Sequence, residues 1–279
     1  MIWKIRGREF DLTRRAVVMG IVNATPDSFS DGGEFLDPEV ACTHGLSLAA
    51  DGAEILDIGG ESTRPGSEGV SAEEEIRRVL PVIEAIRRAT DIPISIDTSK
   101  ASVARAALEA GADIINDVTG LRGDPEMSAL AAEFRAGVVI MHMQGTPRSM
   151  QKAPTYDDVI AEVGEFFRHS LERAVASGLD PMSIALDPGI GFGKTTVHNL
   201  ALLAGLESFT PLGRPILLGV SRKSLLGHLA NSSAMEDRLW PGVVLTALCR
   251  ERGARIFRVH ESKPHHLALR TAEAILGDV

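Results

Sequence analysis

Ala16-Val17-Val18-Met19-Gly20-Ile21-Val22-Asn23 is a short, β-branched apolar run that ends on a polar amide. It is too short for a core helix and has no alternating polar face, so it predicts a strand covered on both sides. A helical pattern follows over 38–50. The same unit recurs outward along the chain. Further strands are expected at 54–58, 93–97, 113–118, 138–142, 183–187, 215–220 and 255–260. The intervening stretches read as helices. Ser71 with Glu74 three residues later marks a capping box for a helix reaching about residue 88. Others carry Val103, Ala107 and Leu108, start near Pro125, span 156–177 and 198–207, flank a break at Trp240-Pro241-Gly242, and start near Pro264. Strands alternating with helices imply parallel pairing through right-handed crossovers. Eight such units favour an α/β fold of the closed (β/α)8 TIM-barrel type over an open doubly wound sheet. Residues 2–12 precede the first unit, and Gly7-Arg8 is expected to turn a short β-hairpin that closes the amino-terminal mouth.

The 279 residues suit one barrel of about 250 residues with little to spare, so 1–279 is expected to be a single domain. Apolar residues are 44% of the chain and aromatic ones only 4%, which leaves Leu, Ile, Val and Ala to fill the core. The net charge of −9 argues against a nucleic-acid surface, which needs a basic stripe. Any anion site must therefore be local. Cys42 and Cys249 lie far apart, match no metal spacing and read as core-filling thiols. The start of the chain reads as charged and alternating, not as a signal sequence, and no apolar run approaches the ~20 residues of a membrane span. These features point to a cytoplasmic protein with no membrane partner.

In this fold the carboxyl ends of the strands build the active site. Read in order, those ends carry Asn23, Asp57, Asp97, Asn116, His142, Asp187, Lys223 and His260. One polar residue per strand end is ordinary loop chemistry; eight in register point to a site. The loops at 24–33 and 59–66 are long, polar and glycine-rich, and with Phe29 and Arg64 they read as covers that exclude water. Arg258 and His260 are two apart on one strand and share a face. With Arg222 and Lys223 they form an anion site where barrels often hold phosphate. Gly189, Gly191 and Gly193 form only a superficial dinucleotide motif, outside the strand–turn–helix context it requires.

Taken together, these segments are similar to the signatures of the dihydropteroate synthase family. The resemblance rests on 19–23 running into Thr25-Pro26-Asp27-Ser28-Phe29-Ser30-Asp31-Gly32-Gly33, and on Asp57-Ile58-Gly59-Gly60-Glu61-Ser62-Thr63-Arg64-Pro65-Gly66. It continues in Ser95-Ile96-Asp97-Thr98, Ile115-Asn116-Asp117-Val118, Met141-His142-Met143-Gln144-Gly145, 187–193, Ser221-Arg222-Lys223 and Arg258-Val259-His260. It covers essentially the whole chain. It implies a transferase that condenses 6-hydroxymethyl-7,8-dihydropterin diphosphate with p-aminobenzoate in folate synthesis, assisted by Mg²⁺, and that works as a homodimer and is a target of sulfonamides.

Residue by residue, the resemblance assigns the pterin to Asp97, Asn116, Met141, Asp187 and Lys223. It assigns p-aminobenzoate to Phe29, Thr63, Pro65, Phe192, Arg222 and Ser224, and the diphosphate to Thr63, Arg64, Arg258 and His260. Asn23 is implied as the metal-side contact, its amide oxygen being a hard ligand. The catalytic set implied is Asn23, Thr63, Arg64, Asp97, Lys223, Arg258 and His260.

Two departures stand out. Glu261-Ser262 replaces the family's usual Asp-Val; the change reads as compensated, since Ser262 can itself cap the last helix, with altered diphosphate handling as the other reading. Arg238-Leu239-Trp240-Pro241-Gly242 departs from the expected pattern near the family's dimer contact. Two other readings compete with it. A methyltetrahydrofolate-dependent methyltransferase on this barrel would share the pterin contacts but would not need Arg258 and His260 as an anion site. A non-catalytic pterin-binding paralogue would be expected to lose the loop residues that this chain keeps.

Overall fold

The structure, a computed structural model, describes residues 1–25, 37–62, 67, 69–146 and 149–277. Strands β1 (Ile2–Ile5) and β2 (Arg8–Asp11) pair antiparallel as a hairpin. Eight parallel strands then close a barrel: β3 (Val17–Asn23), β4 (Ala53–Gly59), β5 (Ile94–Asp97), β6 (Ile114–Asp117), β7 (Gly137–Met141), β8 (Ile184–Asp187), β9 (Ile216–Leu218) and β10 (Ala254–Val259). Strand β10 pairs with β3 to complete the ring. The connecting helices are α1 (Pro38–Ala50), α2 (Ala72–Ala89), α3 (Ala101–Glu109), α4 (Met127–Phe134), α5 (Val159–Ala176), α6 (Thr196–Ala204), α7 (Ser224–Ala230), α8 (Leu239–Glu251) and α9 (Ser262–Leu276). The expected TIM barrel is the observed fold.

Side chains alternate between two cores, as strand geometry requires. Val17, Met19, Ile55, Ile114, Val139, Ala185, Leu217 and Ile256 fill the barrel interior. Their neighbours, among them Val18, Leu56, Ile96, Ile115, Val138, Leu186 and Phe257, pack outward against the helices. The hairpin seals the amino end. Trp3, Ile5 and Leu12 are fully buried in the interior cluster, and Trp3 Nε1 donates to the Ser183 carbonyl at 2.8 Å. Its turn lies at Arg6 (φ 43°) and Gly7 (φ 83°), one residue earlier than expected. Two consecutive left-handed residues are what a two-residue hairpin loop demands, and only Gly7 takes that conformation without strain.

Ser71 caps α2 by accepting the Glu74 N–H at 3.2 Å. The reciprocal half of the capping box is replaced, because the Glu74 carboxylate takes Arg78 Nε at 2.8 Å instead. Trp240-Pro241-Gly242 is not a break: α8 begins at Leu239 and runs through it. Pro241 is the third helical residue, where its missing N–H would have no partner in the helix anyway. Cys42 and Cys249 are free and buried, and burial pushes the Cys249 thiol up to about 12. Among the described residues no helix is long and apolar enough to cross a membrane.

Candidate active site

The inner alternation, followed to the carboxyl rim, brings Asp57, Asp97, Asn116, Met141, Asp187 and Arg258 into the mouth of the barrel. Arg258 spans that mouth. Its Nε donates to Asp57 Oδ2 at 2.5 Å and its Nη2 to Asp97 Oδ2 at 2.7 Å. Asn116 Nδ2 donates to the same Asp57 oxygen at 3.2 Å. Asp57 therefore fixes the guanidinium and the amide together. The Oδ1 atoms of Asp57 and Asp97 are buried and take no hydrogen bond. They are acceptors in a site that also offers Asn116 Oδ1, a combination suited to the N–H groups of a flat heterocycle. Burial pushes the Asp97 carboxyl up to about 7; Arg258 opposes that shift and the Asp57 charge adds to it. Burial alone would lower the Arg258 pKa, but Asp57 and Asp97 reverse this and hold it above the ordinary range.

Opposite them, Asp187 Oδ1 accepts the Gly189 N–H at 2.7 Å. The turn depends on glycine. Gly189 has φ +66°, and a Cβ there would lie 1.9 Å from the His142 carbonyl oxygen. Burial raises the Asp187 pKa, opposed by Lys223 and by the Gly189 N–H. Lys223 donates to the Ile190 carbonyl, and its ammonium stands 4.7 Å from the Phe192 ring centroid, a cation–π contact. Burial lowers Lys223 to about 8, against the pull of Asp187. Met141 joins Val118, Met143, Met150 and the half-buried Phe192 in an apolar wall on this side.

His260 lies just beyond β10. Its backbone N–H donates to Ser221 Oγ at 3.2 Å, and its Nδ1 lies 3.0 Å from the same hydroxyl. Arg222 holds a left-handed backbone (φ 59°) and binds Glu261 through Nε at 2.9 Å. Strain of this kind in a non-glycine residue persists only where the surroundings impose it. Here Arg238 contributes by donating to the Arg222 carbonyl at 2.8 Å.

The chain matches the family model "Pterin binding enzyme" over residues 19–260. It is 45% identical over 272 residues to dihydropteroate synthase of Escherichia coli, covering 98% of this chain and 95% of that protein. The chain belongs to the dihydropteroate synthase family. The family's Synechocystis member is 44% identical over 266 residues, 95% of this chain and 92% of that protein. Xanthomonas albilineans dihydropteroate synthase with 4-aminobenzoic acid superposes with a TM-score of 0.92 at 46% identity, covering 99% of this chain and 98% of the other. The same organism's enzyme in complex with 7,8-dihydropteroate gives 0.88 at 43% identity, covering 99% of each chain.

Against that family pattern, the structure gathers Asp97, Asn116, Met141, Asp187, Lys223 and Arg258 at one rim, with Asn23 at the end of β3 and His260 just past β10. Ser224 opens α7, and Arg222 is engaged by Glu261. Phe29, Thr63, Arg64 and Pro65 lie outside the described residues. Two expectations need correcting. His142 does not belong to the ring. Strand β7 ends at Met141, so His142 falls on the outer side, with its ring edge-on to Phe166 and its Nδ1 3.0 Å from Lys194 Nζ. Burial, with Lys194 next, lowers it to about 3, which keeps it neutral. Ser262 does not cap α9. It is the first helical residue, and its hydroxyl is buried without a partner.

Sequence reasoning also missed Lys194. Its ammonium, almost fully buried, donates to the carbonyls of Gly189 and Phe192, both at 3.0 Å, and of His142 at 3.3 Å. It thereby ties the loop after β8 to the end of β7. Ser221, which orients His260, carries no role assigned by the motif it belongs to. Neither contact has a local spacing signature.

Proposed function

We propose that this chain condenses 6-hydroxymethyl-7,8-dihydropterin diphosphate with p-aminobenzoate, releasing diphosphate and forming 7,8-dihydropteroate. One observation carries the reading. A single barrel rim sets acceptors for a heterocycle, Asp97, Asn116 and Asp187, beside the donors Arg258 and His260. A methyltetrahydrofolate-dependent methyltransferase has no diphosphate to release and so no use for that pair.

The pterin edge presents an amino group beside a ring N–H, and the Asp187 carboxylate accepts both. Asp97 and Asn116 hold the far side of the ring, Lys223 donates to it, and Met141 covers one face. The C–O bond to the methylene carbon breaks first, and its electron pair leaves with the diphosphate. The electron-rich pterin stabilises the resulting cation. The p-aminobenzoate amine then attacks that carbon and loses a proton. No protein nucleophile is required. The residues orient the reactants, receive the departing charge at Arg258 and His260, and exclude water. Phe192 and Ser224 line the p-aminobenzoate side, to which the family resemblance also assigns Phe29, Thr63 and Pro65. Arg222 reaches it from its Glu261 pair.

The donor set fits Mg²⁺. Asn23 offers a hard amide oxygen, and among the described residues no cluster of three carboxylate, histidine or cysteine groups would hold a metal alone. Magnesium typically takes one or two protein oxygens and completes its shell with phosphate and water. When bound, it supplies positive charge to the leaving diphosphate.

The assay is direct. Dihydropterin diphosphate, p-aminobenzoate and Mg²⁺ are expected to give product of dihydropteroate mass and stoichiometric diphosphate, at a rate that falls when the metal is chelated. Pterin binding without condensation would overturn the proposal. A Yersinia pestis relative with a TM-score of 0.93 is described in complex with a sulfonamide drug, which supports competition by sulfonamides at the p-aminobenzoate side here.

A homodimer is part of the same reading. Trp240, Val244 and Leu248 are four residues apart on α8 and are 67%, 57% and 43% exposed. Such spacing lays them in one apolar stripe, as expected of an interface. Val244→Glu is expected to shift the sedimenting species from dimer to monomer. A wild-type monomer, or a variant that remains dimeric, would exclude this face.

A further inference from the structure

We propose that Glu61, Lys100 and Glu75 form a charged clasp that sets the loop after β4, and that they are positioning residues for the p-aminobenzoate side of the site. The proposal rests on the function argued above. It starts from Glu61, two residues past the end of β4. Its Oε2 accepts the backbone N–H of Val70 at 3.4 Å, so one carboxylate joins the two ends of the loop. Ser67 Oγ donates to the Ser62 carbonyl just inside that neck. The same Glu61 oxygen accepts the Lys100 ammonium, which also donates to Glu75 Oε2 at 2.5 Å.

The anchor beneath is rigid. Glu75 lies in the first turn of α2 and is 1% exposed. Gly60 lies flat on that helix: a Cβ there would come within 2.7 Å of Val79 Cγ1 and 3.1 Å of Glu75 Cγ. Arg78 Nη1 donates to the Gly60 carbonyl at 2.9 Å. Lys100 itself precedes α3 and stands three residues beyond Asp97, with its N–H held by Thr98 Oγ1 at 3.2 Å. The clasp thus ties the loop after β4, which carries Thr63, Arg64 and Pro65, to the loop that follows the Asp97 strand. Burial would lower the Lys100 pKa, but hydrogen bonds to Glu61 and Glu75 hold it above the ordinary lysine range, so the ammonium stays charged.

In this ion cluster only Glu75 is fully buried, Lys100 and Glu61 being partly exposed, and pairs of that kind add little stability. Here it sits at the neck of the loop that carries Thr63, Arg64 and Pro65. A fold-stabilising role would change stability and leave both substrates equally affected. A clasp predicts a split between them.

Two variants test it. Glu61→Met removes the acceptor at the neck and leaves the Lys100–Glu75 pair; Lys100→Met removes the bridge. Each is expected to raise the p-aminobenzoate KM by about tenfold or more, since small misplacements of positioning groups are costly. The calorimetric Kd for dihydropterin, measured without the second substrate, should change far less than that KM, because Asp97 is held by Arg258 rather than by the clasp. Combining the two should add little beyond either alone. Amide exchange at Val70 should accelerate in both variants, and this readout needs no turnover. Unchanged Val70 protection in folded Glu61→Met overturns the clasp whatever the enzyme does. A pterin Kd that rises in step with KM overturns its side-specific role. Wild-type chain that makes no dihydropteroate defeats the proposed function instead, and the Val70 exchange still decides whether the clasp exists. Should Lys100→Met fail to fold, Glu61→Met alone decides.

Discussion

Arg258→Ala is expected to lower turnover by about 100- to 1000-fold, the range for losing one preorganised donor to developing negative charge. The size of the effect follows from how the guanidinium is held. It is bound at Nε by Asp57 and at Nη2 by Asp97, so it cannot swing away, and Nη1 remains for a diphosphate oxygen. The same change leaves a fully buried Asp57 carboxylate without its cation. Breaking a buried pair costs about 3–5 kcal/mol. The lower end applies here because the Arg258 side chain is 22% exposed. Urea unfolding reads that loss separately from turnover. A third consequence concerns pH. Arg258 is the group that holds Asp97 down, so its removal raises the Asp97 pKa above about 7, and the variant's pH–rate profile should shift to higher pH. Arg258→Lys keeps a charge but not the fork that reaches two carboxylates, so its rate should fall between those of wild type and Arg258→Ala. A folded Arg258→Ala variant with near-normal turnover would remove this residue from the mechanism.

The barrel was legible because each strand is a short β-branched run buried on both faces, and because such runs alternate with helices eight times. The rim was legible for the same reason, since a polar residue that ends an apolar run marks a strand end. What escaped depended on parity, turn geometry and long-range contact. His142 follows Met141, and one residue of register exchanges the inside of a barrel for the outside. In sequence Pro241 suggests a break because proline usually stops a helix. At the third helical position it stops nothing. Ser221 meets His260 across 39 residues, Lys194 meets His142 across 52, and Lys100 meets Glu61 across 39. These contacts join neighbouring strand ends, and no local pattern announces them. Glu261 was noticed as a departure, yet its partner Arg222 also lies 39 residues away.

Asp187→Asn should weaken dihydropterin binding by about 100- to 1000-fold, within the 2–5 kcal/mol lost when one partner of a buried, charge-assisted pair is altered. An amide is isosteric with a carboxylate and still offers one acceptor, so a milder effect could be expected of an ordinary site. The local backbone excludes it. Gly189 presents its N–H to Asp187 Oδ1 at 2.7 Å, and the left-handed turn that aims it is fixed, because any Cβ at Gly189 would strike the His142 carbonyl. Lys194 bonds that same carbonyl and the Gly189 carbonyl, which holds the turn from the other side. The asparagine oxygen must therefore face Gly189, and its NH2 group must face the ligand. Two donors on the pterin edge would then meet a donor, leaving buried polar groups unpaired. Lys223 adds a signature in pH. Asp187 is the main group that keeps its pKa from falling below about 8, so in the variant the ammonium should lose its proton at lower pH. The part of binding that needs a charged Lys223 is present below that pKa and lost as pH rises through it, so the variant's residual affinity should fade at lower pH than the wild type's. Calorimetry of 6-hydroxymethyl-7,8-dihydropterin across the neutral to alkaline range measures both effects. An unchanged Kd in a folded variant would mean that the ring is held from Asp97 and Asn116 alone.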